Sequence, residues 1–93
     1  MQDVPEQLDG ATVVLVAPAT SGQVGHNYET GEPVAIAYYA VAQYPSVGPR
    51  AYLFGVSAGH EVVSDDPWDS IEEAKSVAVR SGMVEASAWR PRG

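Results

Sequence analysis

The 93-residue chain contains no cysteine, and only five of its residues are basic. The absence of cysteine excludes a disulfide framework and a thiolate metal site. With twelve acidic residues the net charge is -7. This balance argues against direct binding to nucleic acid or to an anionic membrane, because both need lysine and arginine to neutralise phosphates.

Long apolar runs are also missing. The longest extends from Val13 to Ala19 and is far too short to span a bilayer. Residues 1–6 lack the basic region of a secretory signal. We therefore expect a soluble, cytoplasmic protein. An apolar fraction of 45% predicts a single globular domain over residues 1–93, with a loose N-terminal arm at 1–10 and a tail at 90–93.

A helix is predicted over residues 69–82. Ser70 and Glu73 form a capping box, with Asp69 and Glu72 as an alternative pair, and Gly82 is suited to close the helix. Apolar residues repeat at helical spacing on one face, while charged residues occupy the other. The apolar positions are Ile71, Ala74, Val77 and Ala78.

Apolar and β-branched runs predict about five strands. They cover residues 12–17, 35–44, 51–57, 60–64 and 84–89, and the first is apolar enough to be buried on both faces. Ala58 and Gly59 predict a hairpin turn. The expected fold is α+β, in the order β-β-β-β-α-β, with one helix on one face of a mostly antiparallel sheet. The long loop at 20–33 is either functional or mobile.

No motif predicts an active site convincingly. Residues 55–59 match the G-x-S-x-G pattern around a nucleophilic Ser57, but the strand pattern that follows does not fit the helix which that motif requires. Asp65, Asp66 and Asp69 offer carboxylates to Ca²⁺ or Mg²⁺, yet helix capping already explains Asp69. We expect no catalytic residues, no metal and no cofactor, and hence no enzyme.

Charge is distributed unevenly along the chain. All five basic residues lie at or after Arg50, and six acidic residues without a base fall between Glu61 and Glu73. Such a segment either steers a basic partner or only keeps the domain soluble. Trp68 within it is either an interface anchor or part of the core. The predicted partner-binding residues are Asp65, Asp66, Trp68, Asp69, Glu72 and Glu73.

The segment from Tyr52-Leu53-Phe54 through the Glu61–Lys75 stretch to Trp89 resembles the C-terminal part of small acidic bacterial immunity proteins of polymorphic toxin systems. The shared pattern is a hairpin, a helix that begins with Ser70-Ile71-Glu72-Glu73-Ala74, and a final strand that ends in Trp. The resemblance covers residues 51–90 approximately. It implies a protein that binds and blocks a toxin domain, and it carries no catalytic residues.

Two functions are therefore expected for this chain. The first is inhibition of a basic protein partner through the acidic segment. The alternative is a small self-assembling structural or accessory subunit, in which an edge strand or the tyrosine-rich strand with Tyr38, Tyr39 and Tyr44 pairs between copies. An enzyme is the least expected class, because no nucleophile–base pair is visible.

Overall fold

The computed structural model describes residues 4–92, which form a mostly antiparallel sheet curled as a half-barrel with one helix. The elements in chain order are β1 (Gln7–Leu8), β2 (Ala11–Pro18), β3 (Val24–His26), β4 (Pro33–Ala35), β5 (Tyr38–Gln43), β6 (Ala51–Val56), β7 (Val62–Trp68), α1 (Ile71–Arg80) and β8 (Arg90–Pro91). Within these residues no helix is both long and apolar enough to cross a membrane. The α+β class is confirmed.

The sheet has the strand order β1-β2-β5-β6-β7, and β8 also pairs with β2. β1 pairs with the beginning of β2 at Ala11 and Thr12, while β8 pairs further along at Leu15 and Val16. The two chain ends thus share one edge of β2. At the opposite edge lies β7, which pairs with β6. β3 and β4 form a separate two-stranded ribbon.

Two apolar clusters fill the two faces of the sheet. On the helix face, α1 packs with Ala74 and Ala78 against residues of β5 and β6 such as Val41 and Leu53. On the opposite face, the cluster includes Val13, Val16, Tyr38, Phe54 and Val56. Because β2 contributes to both clusters, the prediction that the first strand is buried on both faces is confirmed.

The helix prediction is confirmed, including its start. Ser70 is the N-cap residue, and its hydroxyl accepts a hydrogen bond of 3.1 Å from the Glu73 backbone N–H. The Glu73 carboxylate accepts one of 3.1 Å from the Asp69 N–H. One orphan donor of the first helical turn, the Glu73 N–H, and the N–H of Asp69 just before the N-cap are satisfied in this way, so the local sequence specifies where the helix begins.

The expected loose ends are wrong for residues 4–10 and 90–92. Val4 and Leu8 are buried in the cluster opposite the helix, and the Val13 N–H donates to the Glu6 carbonyl over 3.0 Å. At the other end, the Arg92 N–H donates to the Val14 carbonyl, and its Nε donates to the Val4 carbonyl. The free backbone groups of β2 need partners, and both ends supply them.

The predicted strand positions along the chain differ from the structure at several places. The expected strand at 84–89 contains a 3-10 turn at Ala86–Ala88, and the last strand is β8. The expected strand at 60–64 lies instead at β7 and extends to Trp68, so Asp65 and Asp66 belong to a strand. An edge strand tolerates such acids and Pro67, because one side needs no partner. The 20–33 loop contains β3.

Candidate protein-binding site

β7 separates the predicted partner-binding residues onto two faces of the sheet. Asp65 is paired with Phe54, which belongs to the cluster opposite the helix. Asp66 is paired with Leu53 and therefore lies on the helix face. Neighbouring side chains of a strand point to opposite faces, so the two adjacent carboxylates cannot form one flat patch. They lie on either side of the β7 edge.

Trp68 is half-buried and packs against the cluster on the helix face. Its indole Nε1 is buried and has no hydrogen-bond partner among the described residues. The ring therefore contributes to packing on the helix face, in agreement with a core position for this residue. Its role as an anchor for a partner stays a prediction.

The other three predicted residues lie at the start of α1. Glu73 caps the helix, as described above. The Glu72 carboxylate lies 3.7 Å from the Lys75 ammonium on the exposed surface, a kind of pair that adds little stability. Asp69 is exposed. Together with Asp66, these residues form the helix-side part of the acidic surface.

The segment at 27–32, here called the Asn27 loop, is closed by hydrogen bonds to its first residue. The Asn27 side-chain oxygen accepts hydrogen bonds from the Glu29 and Thr30 N–H groups at 2.8 and 3.0 Å. Its backbone N–H donates to the Glu32 carbonyl, and its carbonyl accepts from the Gly31 N–H. An asparagine side chain that closes a turn in this manner replaces missing backbone partners. The long loop at 20–33, expected to be either functional or mobile, therefore contains a hydrogen-bonded turn.

Tyr28 projects from this loop and is 60% exposed. A pocket of about 190 Å³ lies beside it, here called the acidic pocket. Its lining consists of Asp9, Asn27, Tyr28, Glu29, Glu61, Val62 and Val63. Partial burial, followed by the Asp65 and Asp9 carboxylates, raises the pKa of Tyr28. An aromatic ring beside several carboxylates is suited to receive a lysine or arginine side chain.

The ribbon of β3 and β4 places the Asn27 loop beside the edge strand. Gly25 lies so close to β7 that a Cβ atom there would overlap the Val63 carbonyl oxygen and approach its Cγ2 to 2.7 Å. At the base of the ribbon, the Gln23 amide donates to the Met83 carbonyl and accepts from the Tyr39 hydroxyl, both at 2.7 Å. The ribbon that carries the Asn27 loop is thus in close contact with β7 and is hydrogen-bonded to the rest of the domain at its base.

The G-x-S-x-G segment forms the turn between β6 and β7. The Ser57 side chain is buried, and its hydroxyl accepts a hydrogen bond of 3.1 Å from the Glu61 N–H. His60 takes a left-handed backbone conformation; its backbone N–H donates to the Ser57 carbonyl, and its Nδ1 lies 2.9 Å from the Tyr38 hydroxyl. In residues 4–92 no three His, Asp or Glu side chains are grouped to hold a metal ion.

Sequence reasoning missed most of the acidic pocket. Asp9, Glu29 and Glu61 come from three different connections between strands, and their separation along the chain gives no sign that they line one pocket. The Asn27 loop does carry a local signal, since an asparagine followed four residues later by Gly31 is typical of a closed turn. That pattern favours an ordered loop that displays Tyr28.

No protein-family model matches this chain, and neither a curated protein nor a solved structure is found to be similar to it. The resemblance to immunity proteins thus rests on the residues at 51–90 alone. What the protein binds has to be inferred from the chemistry of its own surface.

Proposed function

We propose that this protein is a non-enzymatic, cytoplasmic inhibitor that binds a basic protein partner, such as a toxin domain, through an acidic face. The observation that carries the proposal is the acidic pocket beside the exposed Tyr28. Tyrosine is among the residues enriched in interface hot spots, because it provides a large, rigid and amphipathic contact surface. Here a preorganised loop holds it, so little conformational entropy is lost when a partner binds.

The acidic surface continues around the β7 edge. Asp65 acts on Tyr28 from one side of the strand, and Asp66 lies on the other. None of the five basic residues lines the acidic pocket. A basic partner that approaches this edge therefore meets carboxylates on both sides, and a net charge of -7 accelerates its encounter.

Strand pairing between copies at β7 is less favourable. Asp65 and Asp66 are exposed on this strand, and Pro67 has no N–H to donate. An antiparallel pair of two such edges would bring like charges together, and charged residues and proline are common means by which edge strands avoid pairing. The geometry consequently argues against the pairing of two β7 edges, while a basic partner would find complementary charge there.

The test compares two variants with equal charge changes. Glu29→Lys with Glu61→Lys reverses the acidic pocket, while Asp66→Lys with Asp69→Lys reverses the helix side. The wild-type protein is used to capture partners from its source cells at low salt, and the captured protein is identified and purified. Association rates of each variant with that protein are then measured at low and high salt, after circular dichroism shows that each variant is folded.

We expect the pocket variant to associate at least about tenfold more slowly at low salt, with a smaller difference at high salt. A larger effect of the helix-side variant would move the binding face to Asp66 and Asp69. Equal effects of both would show that only net charge matters. Capture of no basic protein, or of one whose activity is not inhibited, would refute the proposed function.

A further inference from the structure

A groove of about 330 Å³ lies on the helix side of the molecule, away from the acidic pocket. It runs between the exposed side of α1 and the segment with the last 3-10 turn. Val79, Ala86 and Trp89 provide its apolar surface. The indole Nε1 of Trp89 is buried, so the polar atom of this ring is turned away from solvent. We call this surface the helix groove.

The helix groove carries basic side chains on a strongly acidic protein. Lys75 and Arg80, two of the five bases, line it together with one acidic residue, Glu72. Lys75 is paired with Glu72, whereas Arg80 is exposed and forms no salt bridge with any carboxylate in residues 4–92. An aromatic ring next to an unpaired guanidinium is suited to an occupant that combines an apolar or aromatic side chain with a carboxylate.

The Asn27 loop has this combination. Tyr28 is one of only two large hydrophobic residues that are exposed among the described residues. Glu29 and Glu32 flank it on the same exposed turn. The hydrogen bonds of Asn27 close the loop into a turn, which reduces the conformational entropy that the loop loses when it enters a groove.

We propose that the Asn27 loop of one copy docks into the helix groove of a second copy. Tyr28 contacts Val79 and Trp89, and Glu29 or Glu32 faces Arg80. The two surfaces differ, so the contact is head-to-tail rather than two-fold symmetric, and further copies can add until a ring closes. One loop in one groove buries far less than a standard interface, which makes the association weak and reversible.

Sedimentation of the full chain tests this inference over a concentration range that reaches the millimolar level. The buffer contains about 0.15 M salt, at which charge repulsion beyond roughly 8 Å is screened. Tyr28→Ala removes the docking side chain, and Arg80→Glu reverses the groove. Val24→Ala, which shortens the other exposed hydrophobic side chain, and Arg50→Glu, which makes the same charge change outside the groove, are the matched controls.

We expect the average mass of the wild type and of both controls to rise with concentration, while Tyr28→Ala and Arg80→Glu each stay monomeric. A mixture of these two variants should form a dimer and nothing larger, because one supplies an intact groove and the other an intact loop. A wild type that is monomeric throughout, or association that survives in both variants, would overturn the inference. No basic partner is present, so this outcome is independent of the proposed inhibitory function.

Discussion

Replacement of Gly25 by alanine tests how the binding loop is attached to the sheet. Gly25 is buried and is not among the glycines with a positive φ, so alanine fits its backbone conformation. The cost is steric, because the new methyl group would overlap the Val63 carbonyl oxygen and lie 2.7 Å from Val63 Cγ2. A backbone oxygen within a strand cannot move aside by changing a rotamer, so either the ribbon or β7 must shift.

Overpacking of this kind costs about 1–3 kcal/mol. For a domain of this size each kcal/mol lowers the melting temperature by roughly 4–8 °C. Because the clash lies between the ribbon and β7, we expect the ribbon to separate first. Its amides, including the Asn27 N–H bonded to Glu32, should then exchange with solvent faster than those of β5 and β6.

Urea unfolding and hydrogen exchange measure the two effects. Gly22→Ala is the control, since no atom lies within 4 Å of its Cβ position and only its φ of +83° opposes the change. Left-handed backbone costs a non-glycine residue about 1–2 kcal/mol, without any direct contact between the ribbon and Val63. A Gly25→Ala protein with wild-type stability and wild-type exchange in the ribbon would show that the ribbon does not rest on β7.

Two further predictions concern the helix cap at Ser70 and the buried Tyr38. Ser70→Ala removes the N-cap acceptor and should lower the free energy of unfolding, measured in urea, by about 1 kcal/mol. Ser76→Ala, on the exposed helix surface, is the control and should not lower it. Equal effects of the two substitutions would contradict the capping role of Ser70. Burial raises the pKa of Tyr38 to about 12, so the folded state favours the neutral form of this side chain. The stability that follows from this preference is complete below pH ~10 and is lost as the pH rises toward 12. Tyr38→Phe should remove that alkaline loss, and an unchanged pH profile of its unfolding would argue against Tyr38 as the source.

The parts of the fold that the sequence predicts correctly are those determined by interactions between residues close together in the chain. The helix begins directly after Ser70. The side chains of Ser70 and Glu73 accept hydrogen bonds from backbone N–H groups three and four residues away, and these bonds fix its start. Continuous apolar character in β2 indicates burial on both faces. The end of β7 was missed because Asp65, Asp66 and Pro67 are poor strand residues by composition. They are in a strand because Ala51, Tyr52 and Leu53 on β6 require partners.

The candidate site shows the same division. A net charge of -7 and the acidic run from Glu61 to Glu73 follow from composition, and they predict a basic partner with no knowledge of the fold. Composition does not tell which carboxylates lie on one surface, because the alternation of side chains along β7 turns Asp65 and Asp66 to opposite faces.

The amino-acid sequence by itself determined the α+β class, the capped helix and the acidic character, because capping, hydrophobic periodicity and charge are properties of short segments. Only the tertiary structure decided the edges of the sheet and the composition of the acidic pocket. β2 takes its edge partners from both chain ends, and Asp9, Glu29 and Glu61 line one pocket beside Tyr28. Such contacts join residues that are far apart in the chain, and they form because backbone groups and apolar surface must be satisfied across the whole molecule.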